Sequence, residues 1–193
     1  MHKEITVEQI DKALELFIKN GFEVIQLNLI LFPPTTTVED VVETMKKAVD
    51  YAGRPGVFLN VIPCMGALPK APLMDMPEYQ DLITWKKKEL PGGQSMMKPA
   101  MIKIKDGYAA KIFDISIREA KDEENSYNAM LVEKKYPFSS TPEYIWPLLY
   151  FKTIYRVLSR EENTGKYDDE IARIDGLVEK LTLETVAHQR KVK

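Results

Sequence analysis

The sequence predicts an α/β fold. It reads as a partial parallel βα barrel over residues 1–75, followed by a linker and a mainly helical C-terminal extension over residues 76–193. Three observations predict it. Two apolar stretches, Phe22–Phe32 and Val57–Ile62, have the β-branched, weakly alternating character of strands buried on both faces. Each follows an amphipathic helical stretch that ends in a glycine stop, the grammar of parallel βα units. Beyond Thr141, apolar residues recur at helical spacing almost to the end of the chain.

The first helix starts at Thr6, with Gln9 three residues on to close a capping box. Ile10, Ala13, Leu14, Phe17 and Ile18 form its stripe, and Asn20-Gly21 ends it. A loop at Pro33–Thr37 follows the first strand. Thr37 caps the second helix, whose first turn holds Glu39 and Asp40 near the positive end of the helix dipole. Val41, Val42, Met45, Ala48 and Val49 make its apolar face, Gly53 stops it, and the second strand ends at Pro63.

In a parallel sheet, ligands bind beyond the carboxyl ends of the strands. Asn28 and Asn60 stand out there as polar residues in apolar strands. A buried amide costs free energy unless paired, so the two either bond to backbone or to each other, or line a site. Cys64, at the end of the second strand, reads as a small packed residue rather than a nucleophile, with no histidine nearby in sequence.

Composition narrows the function. Lysine and arginine number 27 against 29 acidic residues, a net charge of −2, so the basic excess of a nucleic-acid binder is missing. One cysteine forms no intrachain disulfide and closes no cysteine metal cage, and His2 and His188 lie near opposite ends. The longest apolar run, Trp146–Tyr155, is interrupted by Pro147 and Lys152 and is too short to span a bilayer. The first residues lack a secretion signal's apolar core, so a cytoplasmic setting without membrane partners is expected.

Four segments in order resemble the C-terminal part of the radical S-adenosylmethionine (SAM) enzyme barrel. Lys3–Ile10 is similar to a K-x-x-T-x-E-x-I helix opening, and Lys19–Val24 to a K-x-G-x-x-V lead-in to the next strand. Phe32–Asp40 sits where the family shows G-x-P-G-E-T-x-E-D, matching at Pro34, Thr37, Glu39 and Asp40. Ile62–Leu68 resembles a later P-x-x-G-T-x-L segment. The resemblance covers about the first third to two-fifths of the chain. Both glycines of the loop motif are replaced, by Phe32 and Thr35, and its glutamate by Thr36.

The resemblance implies a barrel wall for SAM and substrate, with Asn28 and Asn60 as strand-borne contacts and Pro34 and Thr37 shaping the adjoining loop. It implies a [4Fe–4S] cluster that cleaves SAM to a 5′-deoxyadenosyl radical. The C-x3-C-x2-C motif that holds this cluster is absent, so this chain alone cannot bind it with its own cysteines. The cluster would lie on a missing N-terminal half or on a second chain. Cobalamin is a further cofactor the resemblance allows, because many relatives carry a domain for it upstream. The rival function is a non-catalytic α/β protein-interaction module. A phosphate-binding protein using the Thr35–Thr37 helix start ranks last, since capping explains those threonines.

From Met65 the chain turns irregular, with Pro69, Pro72 and Pro77 among methionines, either a loop over the core or a substrate-facing lid. A short helix is expected over Pro77–Leu90, with Lys86-Lys87-Lys88 as a solvated run and Pro91-Gly92-Gly93 as its stop. Met101–Lys105 alternates like an edge strand or starts a helix. Asp106-Gly107 is a hairpin signal that would let Tyr108–Phe113 pair back. Lys121–Asn125 reads as a solvated turn. Thr141-Pro142-Glu143 opens a buried helix that Pro147 either kinks or truly begins. A last helix from Tyr167 towards His188 carries a narrow apolar seam to dock on the domain or on a partner, and Lys191–Lys193 should fray.

Overall fold

The computed structural model describes residues 6–67, 76–83, 86–89, 95–98 and 100–191. Pro69, Pro72, Trp85, Pro91-Gly92-Gly93 and Val192-Lys193 therefore lie outside the described residues, with the expectations that rest on them. The molecule is α/β and mostly helical, built around a two-stranded parallel sheet.

Local chemistry sets the first units. Helix α1 (Val7–Lys19) has the expected capping box: Thr6 Oγ1 accepts the Gln9 N–H, and Gln9 Oε1 accepts the Thr6 N–H. Gly21 takes the left-handed conformation (φ +77°), and the Phe22 N–H donates to the Phe17 carbonyl at 3.1 Å. This stop brings the Phe17 and Phe22 rings edge to face. Strand β1 spans Ile25–Phe32, helix α2 Val38–Ala52 and strand β2 Val57–Cys64. Thr37 caps α2 in a second box with Asp40. Backbone bonding to Thr37, then its side chain, holds the Asp40 carboxyl below its ordinary range. At Gly56 (φ +72°) the chain passes so close to the residues leading into β1 that an added Cβ would sit 2.6 Å from the Glu23 carbonyl.

β1 and β2 run parallel in direct register, Ile25 beside Val57 through Phe32 beside Cys64. The expectation of strands buried on both faces needs correcting. Ile25, Leu31, Val57, Leu59 and Val61, on the face under the helices, are buried, whereas Gln26, Asn28, Ile30, Asn60 and Ile62 on the opposite face are exposed. That face mixes amides with apolar side chains, and two strands do not make a second layer. The carboxyl end of that face is closed, where Phe32 is fully buried against Phe113, and Tyr144 packs on Phe58 near its amino end.

The middle of the chain departs most from expectation. Helix α3 covers only Pro77–Gln80, and β4 (Lys86–Glu89) pairs antiparallel with β5 (Ser95–Lys98) where a longer helix was expected. Cross-strand pairing there outweighs helix propensity. Short strands β3 (Gly66–Ala67) and β6 (Ala100–Met101) also pair antiparallel, and Ile102 bridges to Ile83, so the expected edge-strand character holds only locally.

Asp106-Gly107 makes no hairpin. The Asp106 carboxylate instead accepts the Ala109 N–H at 2.7 Å and caps helix α4 (Gly107–Glu133), which runs for 27 residues through the expected turn at Lys121–Asn125. An aspartate before glycine serves a helix start as well as a turn. Ala109, Ile112, Phe113, Ser116, Ala120, Tyr127 and Leu131 form the buried stripe that selects the helix. Pro142 heads only a turn, its carbonyl accepting the Ile145 and Trp146 amides; Pro147 marks the true start of α5 (Trp146–Glu162). Asn163, in the left-handed region, ends α5, and α6 (Asp168–Lys191) returns along it.

One core cluster joins Leu31, Phe32, Met45 and Leu59 to Ile112, Leu148, Phe151, Ile154 and Ile174. Helix α5 is buried nearly all round, with α4 and α6 packed against it. The seam of α6 thus docks within the chain, through Ile174, Val178, Thr182 and Val186. Among the described residues no helix is long and apolar enough to cross a membrane.

Candidate functional site

The residues singled out from sequence divide into a pair on the sheet and a pair in the loop after β1. Asn28 and Asn60 occupy the same register on neighbouring strands, so their side chains leave the sheet together. The Asn60 side-chain amide donates to Asn28 Oδ1 at 2.8 Å, and Gln26, two residues back on the same face, donates to the same oxygen at 3.1 Å. The three amides form a polar row on the exposed face, edged by Ile30 and Ile62. Asn28 Oδ1 takes two donors, which leaves the remaining amide groups facing out.

Beside this row lies a cavity of about 330 Å³ lined by Val24, Gln26, Phe58, Asn60, Glu143 and Tyr144. Tyr144 reaches it from the C-terminal extension, its ring centroid 5.2 Å from that of Phe58, while its hydroxyl bonds to Thr185. Amide donors and acceptors, an aromatic wall and one carboxylate can hold a flat polar ligand by stacking and edge hydrogen bonds.

Pro34 and Thr37 do not join the amide row. Pro34 is buried, its carbonyl accepting the Lys105 N–H at 2.8 Å, which ties the loop to the residues before α4. Thr37 is committed to Asp40 and the start of α2. The loop is therefore shaped by capping and by Lys105.

The carboxyl ends of the strands, where ligands sit in open parallel sheets, are partly plugged. Phe113 closes over Phe32, and a second cavity of about 330 Å³ remains beside Cys64, bounded by Ile102, Lys103, Ile104, Phe113 and Asp114. Burial pushes the Cys64 thiol up, which keeps it protonated and poorly nucleophilic. Burial, then proximity to Cys64, raises the fully buried Tyr150 phenol, whose oxygen has no partner among the described residues. A third cavity, about 290 Å³, lies between α4 and α6 over the Lys152 ammonium, which Glu123 and Asp175 hold at 2.8 and 2.6 Å. The Lys152 charge at its floor is already paired inside the protein.

Sequence reasoning missed Gln26, Glu143 and Tyr144. Gln26 was legible in principle, two residues from Asn28 on the same face of a strand. Glu143 and Tyr144 come from over 80 residues away and carried no local signal. Among the described residues, no group of three histidine, cysteine, aspartate or glutamate side chains is placed to hold a metal ion. No protein-family model matches the chain, and no curated protein or solved structure matches it either.

Proposed function

We propose that this chain supplies the C-terminal βα wall of a radical SAM enzyme barrel. One observation carries the reading. Two parallel strands, covered by helices on one side, present paired amides and apolar side chains on the other. That open face is the one a closed barrel would turn inward. The resemblance of Lys19–Val24, Phe32–Asp40 and Ile62–Leu68 to the family's later βα units supports the same reading.

In such an enzyme SAM supplies a 5′-deoxyadenosyl radical to a substrate. The residues of this chain fit its nucleoside part: Asn60 and Gln26 have donors and acceptors for a base edge or ribose, and Tyr144 and Phe58 offer ring faces. They do not fit the [4Fe–4S] cluster, since Cys64 is the chain's one thiol and is held protonated. The cluster belongs to cysteines on another segment or chain. The work of this chain is to bind, orient and wall off.

The side-chain amides give a direct test. SAM at about millimolar concentration, enough for even a 4 kcal/mol interaction, should shift the NMR signals of the Asn28 and Asn60 NH2 groups. Asn60→Ala should abolish the shift at Asn28. If SAM leaves both amides unmoved, the reading fails. The second reading, a non-catalytic α/β interaction module, draws on the exposed apolar residues Leu16, Phe17, Phe22 and Val24.

A further inference from the structure

The cavity of about 290 Å³ between α4 and α6 has no part in the proposed function. A single water needs only about 10–15 Å³, so there is room here for a small organic molecule. The walls are apolar: Met130 of α4, Leu149 of α5 and Val178 of α6, with the rings of Tyr127 and Tyr136 beside them. Tyr136 is held at the wall by stacking on Phe138, ring centroids 6.2 Å apart.

Five charged side chains line the cavity, and their pairing decides what it can hold. At the floor Lys152 binds Glu123 and Asp175, and the second Glu123 oxygen binds Arg156. Those two cations and two anions cancel. Lys134, at the end of α4, and Glu179, on α6, are left over. Among the described residues neither has an ion-pair partner, and they do not pair with each other. Their neighbours keep that balance. Glu133 and Lys135 flank Lys134 with opposite charges, and Lys180 beside Glu179 pairs with Glu184 at 3.9 Å.

The hydroxyls of the lining are one-sided. Each carries one proton. Ser126 donates its proton to the Asp122 carbonyl at 2.9 Å, and Thr182 to the Val178 carbonyl at 2.6 Å. Tyr127 is therefore the donor in its 2.7 Å bond to Thr182. All three are left with acceptor lone pairs alone, which suit an N–H group on a guest.

We propose that this cavity binds a zwitterion, an α-amino acid with an apolar side chain. Its carboxylate lies on Lys134, its ammonium on Glu179, and its side chain between Met130, Leu149 and Val178. A guest with one charge would answer only one of the two free groups, and a guest without an apolar body would leave the walls wet. The inference does not rest on the proposed function. SAM also carries an amino-acid group, but the test uses an amino acid without SAM. It reads Met130 and Val178 rather than Asn28 and Asn60, so either idea can fail alone.

L-Phenylalanine added to about 10 mM should shift the NMR methyl signals of Met130 and Val178, with a Kd on the order of a millimolar or below. Phenethylammonium, which lacks the carboxylate, and phenylpropanoate, which lacks the ammonium, should each bind about three- to tenfold more weakly. Glycine, with no side chain to bury, should leave the methyl signals unmoved. Glu179→Gln should weaken phenylalanine and phenethylammonium by about threefold or more and spare phenylpropanoate. Lys134→Met should weaken phenylalanine and phenylpropanoate and spare phenethylammonium. Both side chains are exposed, and the ligand series on the unaltered protein decides even where a variant fails to fold. The inference is overturned if phenylalanine leaves both methyl signals unmoved or binds no tighter than its two analogues. It is also overturned if either variant weakens all three ligands alike.

Discussion

Asn60 donates its side-chain amide to Asn28 Oδ1 across two neighbouring parallel strands, at one register position and on the face that carries no helix. Two amides in an apolar strand pair, read alone, suggest a buried polar contact. Here they lie in the open with Gln26 bonded to the same oxygen. An exposed hydrogen bond between side chains adds little, because water replaces it at almost no cost.

Stability should register that difference. Asn60→Ala should cost less than about 1 kcal/mol in urea unfolding, the lower part of the range for a net hydrogen bond. A double-mutant cycle with Asn28→Ala should show a coupling of the same small size. A loss several times larger would mean that the amide row is structural, with no spare groups for a ligand.

The two left-handed glycines should behave differently. Gly21 has nothing within 4 Å of an added Cβ, so Gly21→Ala should cost only the backbone conformation, about 1 kcal/mol. At Gly56 the same methyl meets the Glu23 carbonyl at 2.6 Å. Gly56→Ala should therefore cost more, at the upper end of about 1–3 kcal/mol or beyond. Thermal melts of the two variants should fall in that order.

Lys152 is buried in α5 between Glu123 of α4 and Asp175 of α6. Removing one partner of a buried ion pair costs more than replacing the pair by shape-matched apolar or neutral groups. Glu123→Gln should lower stability by roughly 1–3 kcal/mol, and the double variant Glu123→Gln, Lys152→Met should stay nearer to wild type. The reverse order would show that Lys152 is needed for more than filling the helix interface.

Acid should loosen α1 before the helical layer. Lys47, then Arg54, draws the Asp11 carboxyl below its ordinary value of 3.8. A lowered folded-state value means stabilisation that is present above 3.8 and is lost as pH falls through the folded value. Lys47 is shifted the opposite way by the same contact, so its share is lost only as pH rises above its ordinary 10.5. Hydrogen exchange in α1 should accelerate below pH 4 relative to α5, and Asp11→Asn should weaken that pH dependence, the Glu8 carboxyl, lowered by Thr6, carrying the remainder. An α1 equally protected at pH 3 and pH 6 would contradict the assignment.

The legible parts of this chain were those written within a few residues of each other. Thr6 with Gln9, Thr37 with Asp40 and Gly21 after Asn20 define helix ends through bonds spanning three to five positions. The alternation of caps, stops and apolar runs then gives parallel β1 and β2, as observed. Asp106-Gly107 shows where such reading ends. The same dipeptide suits a turn or a helix cap, and the choice fell to Ile112, Phe113 and Tyr127 packing in the core, far from the signal itself.

By itself the sequence determined the order of βα units, their boundaries to within a few residues, and the two amides that stand out in otherwise apolar strands. Only the tertiary structure decided that one face of the sheet stays open, that Gln26 and Tyr144 join the amide pair, that Phe113 closes the carboxyl end and that α6 docks on α5. The physical reason is range. Caps and turns are settled by hydrogen bonds between neighbours in sequence, whereas the fate of a strand's second face depends on how many distant elements are present to cover it.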